Sequence, residues 1–310
     1  MVLTGPAPAV SRQGAPPGEL DVTVIVVTHE SARDIGPCLR SVAAELSDLD
    51  HEVIVVDNAS TDGTAGVVVT QFPHARLVRS TRRQGFAANC NFGASIARGR
   101  TLVFLNPDAR VTGGAVERLK QVVESHPDVA VAGPRMVYPD GRPQASARRF
   151  PTASATLVRR TPLRWILRHS AVERRHLMLD DGVGGDTHER PDPVPVDWVL
   201  GAALAIRADV YRSLGGMDEG YRLYCEDIDL CWRAWEDGFS VAYVPDAVVE
   251  HRLTELTRRR FLTRATVWHG RGMARFVIRN GLRPPATGTA PSPEDGRAPA
   301  MAAVGRGGHG

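Results

Sequence analysis

Apolar runs that alternate with helical spacing constrain this chain most. Val22–Thr28 (VTVIVVT), His51–Val56 (HEVIVV), the short Arg76–Val78 and Thr101–Leu105 (TLVFL) read as strands. Ala32–Glu45, Thr64–Phe72, Phe86–Arg98 and Gly113–Ser125 carry helix-like spacing between and after them. Strands that alternate with helices predict parallel βαβ units. Near-continuous β-branched runs predict strands covered on both faces. Open sheets of this kind bind ligands beyond the carboxyl ends of their strands. That directs attention to Thr28–Ser31, Asp57–Thr64 and Asn106–Asp108.

The second half changes character. Residues 140–195 are rich in Arg, Pro and Gly and carry few strand signals. Regular patterning returns over Val196–Ala208 and continues to about Val249, and Leu256–Arg279 reads as a basic amphipathic terminal helix. Residues 1–20 and 284–310 are low-complexity tails too poor in apolar surface to offset chain entropy, so disorder is expected there. The expected organisation is one domain over 21–283, divided into 21–108, 109–255 and a helix over 256–283.

Composition excludes several classes. With 43% hydrophobic and 24% charged residues, the chain is neither collagen-like nor wholly disordered. A net charge of +3, from 38 basic and 35 acidic residues, argues against a dedicated nucleic-acid binder. Cys38, Cys90, Cys225 and Cys231 form no CxxC pair, so zinc spacing is absent and reduced thiols are expected, as in a cytoplasmic protein. No segment reads as a signal peptide, and no apolar run is long enough to cross a bilayer, so membrane contact would be peripheral.

Individual residues suggest chemistry without fixing it. Asp57 ends the second strand, where a carboxylate can accept from a nucleobase N–H or a ribose hydroxyl; Asp62-Gly63-Thr64 after it also reads as a plain turn into a helix. Asn106-Pro107-Asp108 ends the TLVFL strand: Asp108 could bind a divalent cation bridging a pyrophosphate, or the triplet could be Asx-Pro turn chemistry. Glu226-Asp227-Ile228-Asp229 places three acids within four residues. Like charges that close raise one another's pKa, which suits a general base, although acids also favour helix N-termini. His251 follows the strand-like run Ser240–Val249 and matters only if the fold brings it near Asp108. The segment Arg83-Gln84-Gly85-Phe86-Ala87 lacks G-x-G-x-x-G, and P-loop, H-E-x-x-H and G-x-S-x-G patterns are absent.

Seven motifs in order resemble the family 2 glycosyltransferases over roughly residues 21–255. They are Val-Ile-Val-Val-Thr at 24–28; Asp57-Asn58-Ala59-Ser60 with Asp62-Gly63-Thr64; Gly85-Phe86-Ala87-Ala88 with Asn91 and Gly93; Leu105-Asn106-Pro107-Asp108; Asp197-Trp198-Val199-Leu200-Gly201-Ala202; Gly215-Gly216-Met217-Asp218-Glu219; and Glu226-Asp227-Ile228-Asp229-Leu230. The Asn-Pro-Asp and Glu-Asp-x-Asp-Leu forms look most like the rhamnosyltransferase-type branch, which builds bacterial cell-wall and surface polysaccharides.

The resemblance implies an α/β GT-A fold, with a Rossmann-like, mostly parallel central sheet flanked by helices. It implies Thr28, Glu30, Asp57, Arg83, Asn91 and Asn106 around the nucleotide-sugar donor. It implies Asp108 and His251 at a divalent cation, Mg²⁺ or Mn²⁺, and Asp227 as the base. Trp198, Gly201, Ala202 and Glu226 would line the acceptor. Arg83 and Glu30 depart from the family's common asparagines; Arg83 could add a diphosphate contact. The implied reaction is inverting, metal-dependent transfer from a nucleotide-sugar, with dTDP-L-rhamnose favoured, to a hydroxyl of a lipid-linked or growing cell-surface glycan. A UDP-hexose or UDP-N-acetylhexosamine donor is the alternative within that chemistry. A catalytically idle nucleotide- or glycan-binding protein and a nicotinamide oxidoreductase are the other classes weighed. The intact acids argue against the first, and the missing glycine fingerprint against the second.

Eight arginines between Arg148 and Arg175, and nine from Arg252 to Arg283, are interleaved with Trp165, Phe261, Trp268 and Phe276. Such segments can lie on an anionic membrane or form a solvated basic face. A polyprenyl-diphosphate-linked acceptor at the inner face of the cell membrane would make the first useful. Oligomeric state is not legible in the chain.

Overall fold

The computed structural model describes residues 3–4, 20–151, 170–180, 183, 192–252, 264–281 and 285. Strands β2 (Leu20–Thr28), β3 (His51–Asp57), β4 (Arg76–Arg79) and β5 (Gly99–Leu105) pair in parallel in the order β4-β3-β2-β5. Helices α1 (Ile35–Glu45), α2 (Thr64–Gln71) and α3 (Phe86–Ser95) make the crossovers. This is the expected βαβ half. Within the stretch expected to be disordered, Leu3–Thr4 forms a strand, β1, that pairs in parallel with the β4 edge.

Alternate residues of β2, β3 and β5 enter two separate cores. Ile25, Val27, Ile54, Val56, Leu102 and Phe104 meet α3 on one face. Val24, Val26, Val55, Val103 and Leu105 meet α1, α2 and α4 (Ala115–Ser125) on the other. Side chains of a strand alternate between faces, so a strand covered twice must be apolar throughout.

Helix boundaries shift for local reasons. The chain first turns through Ser31–Asp34, with Asp34 N and Ile35 N both donating to Ser31 O, so α1 begins at Ile35, later than the spacing predicts. Helix α3 ends early, and Glu52 Oε1 then takes the Arg98 N–H at 2.6 Å just before β5.

Beyond β5 the sheet becomes mixed. Strand β6 (Ala109–Thr112) leads to α4, and β7 (Val129–Val137) follows. Short strands β8 (Pro143–Gln144) and β9 (Ala147–Arg148) come next. After α5 (Ala171–His176) come β10 (Val194–Pro195), β11 (Trp198–Val199) and β12 (Ala203–Arg207). Strand β12 inserts antiparallel between β5 and β7, with Ala203 opposite Leu105 and Ala205 opposite Ala132. After α6 (Ala208–Ser213) and α7 (Glu226–Glu236), β13 (Ser240–His251) runs parallel to β7 and antiparallel to β6. The full order is β1-β4-β3-β2-β5-β12-β7-β13-β10, with β6 on β13 and β8 on β7.

The antiparallel insertion positions the site. It brings the start of β12 to the carboxyl end of β5, where Asn106 N–H donates to Ala202 O at 2.8 Å. The β6–β13 pairing sets His251 opposite Ala109, next to Asp108.

Helix α8 (Arg264–Asn280) covers α7. Its Phe276 is buried and meets Trp232 edge-on with ring centroids 5.2 Å apart. Residues 152–169 of the first basic segment, and 256–263 of the expected terminal helix, lie outside the described residues. All four cysteines are free and buried, as expected of structural thiols. No described helix is long and apolar enough to cross a membrane.

Candidate active site

The loops at the carboxyl ends of β2 and β3 are clasped to each other. Glu30 N donates to Ser60 Oγ at 3.0 Å, and Glu30 Oε1 accepts from Thr61 N at 2.8 Å and Thr61 Oγ1 at 3.1 Å. Glu30 and Ala59 hold φ at 53° and 58°, in the left-handed region that side chains rarely adopt. Backbone strain of this kind persists where surrounding contacts over-determine it. Asp62 finishes the clasp by accepting from Ala32 N and Thr64 N, bonds that hold its carboxyl below the usual range although its burial acts the other way.

Asp57 is fully buried. Its Oδ2 accepts from Arg79 Nε at 3.0 Å and its Oδ1 from Ser60 N at 3.2 Å. Arg79 also reaches Ser60 O at 3.2 Å, so one guanidinium fastens the end of β4 to the loop after β3. Thr28 lies beside Asp57 in the sheet register, and its buried Oγ1 has no hydrogen-bond partner. That orphaned hydroxyl is the polar atom left over at this end of the sheet.

At the end of β5, Asn106 O accepts from Ala109 N, closing the Asn-Pro-Asp turn. His251 Nε2 stands 3.4 Å from Asp108 Oδ1. His251 Nδ1 lies 2.8 Å from Gln144 Oε1. With Gln144 Oε1 accepting from Nδ1, the Nε2 atom faces the Asp108 carboxylate in a mostly buried place. Carboxylate oxygen with imidazole nitrogen is a donor set that a divalent cation accepts. Among the described residues no group of three or more His, Cys, Asp or Glu gathers to hold a metal.

The acids of α7 form the third part. Tyr224 and Cys225 both take left-handed φ, 70° and 75°, so the chain reverses sharply into the helix. Asp227 is half-buried; its Oδ2 accepts from Gly201 N at 3.0 Å and its Oδ1 from Ile228 N at 2.9 Å. Burial raises its pKa, and these two N–H donors together with the Arg148 charge oppose the rise. Glu226 is more deeply placed, and its Oε2 has no partner. Burial first, and the Asp227 charge second, push it up to about 8. Burial therefore raises both of these adjacent carboxyls, and they titrate as a pair. Asp229, the third acid of the motif, is fully buried and structural, ion-paired to Arg233 at 2.8 Å and accepting from Tyr221 Oη at 3.1 Å.

Gly201 is needed where it stands. A Cβ there would sit 3.0 Å from Asp227 Cβ and 3.3 Å from Asp227 Oδ2. Ala202 is buried beside it. Trp198, expected against the acceptor, is buried with its indole N–H on Arg149 O at 2.9 Å; Arg148 stacks over its ring at 5.2 Å. The same Arg148 charge lowers the Asp227 pKa. Asn91 has its Oδ1 on Tyr211 Oη and Met217 N, and its Nδ2 on Met217 O and Glu219. It ties α3 to the Gly215–Glu219 turn. Arg83 is exposed and lies against Trp268 of α8.

The structure thus brings Asp108 to His251, and Gly201 to Asp227. Sequence reasoning missed Gln144, Arg79 and Arg148. Gln144 bonds a residue 107 positions away, and no local pattern marks it. Arg148 was visible only as one charge of a basic segment.

The strained loops, the Asp108–His251 pair and the pinned Asp227 all sit on a mixed α/β sheet of GT-A type. Residues 23–179, just over half of the chain, match the model for "Glycosyl transferase family 2". The chain belongs to that family and is a glycosyltransferase. It is 27% identical over 268 residues to the N-acetylglucosaminyl-diphospho-decaprenol L-rhamnosyltransferase of Mycobacterium tuberculosis, covering 76% of this chain and 77% of that protein. Among solved structures it resembles GalNAc-T7 with UDP, GalNAc and Mn²⁺, with a TM-score of 0.56, 18% identity and coverage of 80% of this chain and 47% of that one. It also resembles the mannosyltransferase PcManGT of Pyrobaculum calidifontis with GDP-Man and Mn²⁺, with a TM-score of 0.53, 21% identity and coverage of 88% and 68%. Those two likenesses bear on the fold, which is the α/β GT-A architecture expected.

Proposed function

We propose that this chain transfers a sugar, with inversion, from a nucleotide diphosphate donor, with dTDP-L-rhamnose favoured, to a hydroxyl of a glycan linked to a polyprenyl diphosphate. The observation that carries the reading is the Asp227 carboxyl, pinned on both oxygens by Gly201 and Ile228 N–H. A base held this way is fixed in position before substrate arrives. Asp227 takes the acceptor hydroxyl proton as that oxygen bonds to the anomeric carbon. The bond from the anomeric carbon to the donor's phosphate oxygen breaks on the opposite side, and the electron pair leaves with the nucleoside diphosphate. Displacement in one in-line step inverts the anomeric centre.

Thr28 and Asp57 serve the nucleoside, Thr28 through its orphaned hydroxyl and Asp57 once Arg79 shifts. Glu30 orders the loop that meets it. Asp108 and His251 hold a divalent cation, Mg²⁺ or Mn²⁺, which when bound neutralises charge on the leaving diphosphate. Gln144 fixes the imidazole tautomer for that purpose. Support for the acceptor class is the activity named for the mycobacterial relative; support for the cation is the Asp108–His251 geometry and the Mn²⁺ named in two structures of like fold. Peripheral contact with an anionic membrane goes with this reading, and the exposed Ile278 of α8 suits it.

A thermal-shift panel tests the proposal. It compares dTDP-L-rhamnose, UDP-GlcNAc, UDP-galactose, GDP-mannose and NAD, each with and without Mn²⁺ or Mg²⁺. A ligand at ~100 times its Kd stabilises by about 2.7 kcal/mol. A cation-dependent shift with dTDP-L-rhamnose alone is expected. A shift with a UDP-sugar alone would replace the donor and keep the chemistry. A shift with NAD alone, or with nothing, would overturn the transferase reading.

A further inference from the structure

Three distant parts of the chain meet at one exposed spot. Arg83 comes from the turn before α3, Arg222 from the loop before α7, and Trp268 from the start of α8. The Arg83 Cζ lies 5.6 Å from the Trp268 ring centroid and the Arg222 Cζ 5.0 Å from it. Both arginines are exposed, and neither guanidinium forms an ion pair or hydrogen bond among the described residues. Further along the same helix, Arg275 and Arg279 are both spent on Asp218. An indole face attracts a cation, but it does not neutralise two of them. Their charge is left for an anion to neutralise.

The backbone beneath is built for fixity. Phe86 N donates to Arg222 O at 3.0 Å. A Cβ on Gly85 would lie 3.2 Å from Tyr221 O and 3.3 Å from Arg222 O, so these segments touch directly. Both arms therefore grow from one junction. From Arg222 the chain runs through the Tyr224–Cys225 reversal into Glu226 and Asp227. The junction shares a core with α3, α7 and α8, and Gln84 beside it is bonded at 2.8 and 3.1 Å to Asn58 of the loop after β3.

We propose that Arg83, Arg222 and Trp268 form a diphosphate site for the acceptor, holding the anionic end of a prenyl-diphosphate-linked glycan while its sugar reaches Asp227. This rests on the transferase reading above, and it moves Arg83 from the donor's diphosphate to the acceptor's. Guanidiniums suit this role because their planar forks pair with phosphate oxygens two at a time.

The test measures binding without turnover, in the full chain. The probes are geranylgeranyl diphosphate, geranylgeraniol and the nucleotide-sugar that the thermal-shift panel selects. Arg222→Gln and Arg83→Gln should each weaken geranylgeranyl diphosphate binding by about 10-fold to 100-fold, as expected for a charge-assisted contact. Geranylgeraniol should bind weakly and equally to all forms, and nucleotide-sugar affinity should stay unchanged. Arg222→Lys should recover part of the loss. Unchanged diphosphate affinity in both variants would overturn the proposal. So would equal binding of the alcohol and the diphosphate, or a parallel loss of nucleotide-sugar affinity, which would give the pair to the donor. If the transferase reading alone fails, no donor turns over, yet the arginine-dependent diphosphate binding persists.

Discussion

Asp227 and Glu226 are neighbours in sequence and both are raised by burial, and Glu226 predicts a pH signature. Glu226 has an ordinary value of 4.5 and is pushed up to about 8 by burial and the Asp227 charge. The folded state therefore binds the proton more tightly than the unfolded chain. Stability from this group is fully present below about pH 4.5 and is lost as pH rises toward 8. Glu226→Gln should thus match wild type in Tm near pH 4.5 and exceed it increasingly up to pH 8, in thermal melts across that range. At Gly201 the constraint is steric: a methyl group meets Asp227 Cβ at 3.0 Å. Gly201→Ala should lower kcat at least 10-fold while leaving donor Kd within about 2-fold, since only the base is displaced. The positions of Asp227, Asp108 and His251 were legible in the sequence because each lies at a strand end or helix start; that Asp108 and His251 meet was left to the fold. Gln144 and Arg79 were not, because their partners are set by tertiary pairing. Asn91 was legible as a motif residue, yet its hydrogen bonds all reach the Tyr211–Glu219 region, a pairing that no local pattern marks.

The element that matters most beyond the motifs is α8. Phe276 is buried against Trp232, and Arg275 donates to both oxygens of Asp218 at 2.8–3.0 Å. Gly272 packs against the Tyr224 carbonyl, where a Cβ would be 3.1 Å away. The helix therefore holds down the reversal that aims Asp227. Phe276→Ala should destabilise by about 3–5 kcal/mol, measured by urea unfolding. Its basic, amphipathic character was plain in the sequence, but the pattern cannot say that two of its arginines face an aspartate within the protein. The β-strands of the first half were legible for the opposite reason. Their burial on both faces writes itself as unbroken apolar runs, whereas the mixed second half depends on β12 inserting between strands far away in sequence.

For the whole molecule, one mixed sheet carries three separate groups of side chains: the clasped loops after β2 and β3, the Asp108–His251 pair, and Asp227 against Gly201. Their separation makes the parts separable by experiment. Removing divalent cations with a chelator should weaken nucleotide-sugar binding, and Asp108→Asn should abolish the cation's effect while leaving the melting temperature of the unliganded chain close to wild type. The most direct test of Asp227 as the base compares wild type with Asp227→Asn, measuring donor Kd by calorimetry and single-turnover sugar transfer on the same preparations. A rate loss of about 10²–10⁴, the usual worth of a general base, is predicted, with donor Kd unchanged. A variant that transfers sugar at the wild-type rate, or that loses donor binding as steeply as it loses rate, would contradict that role.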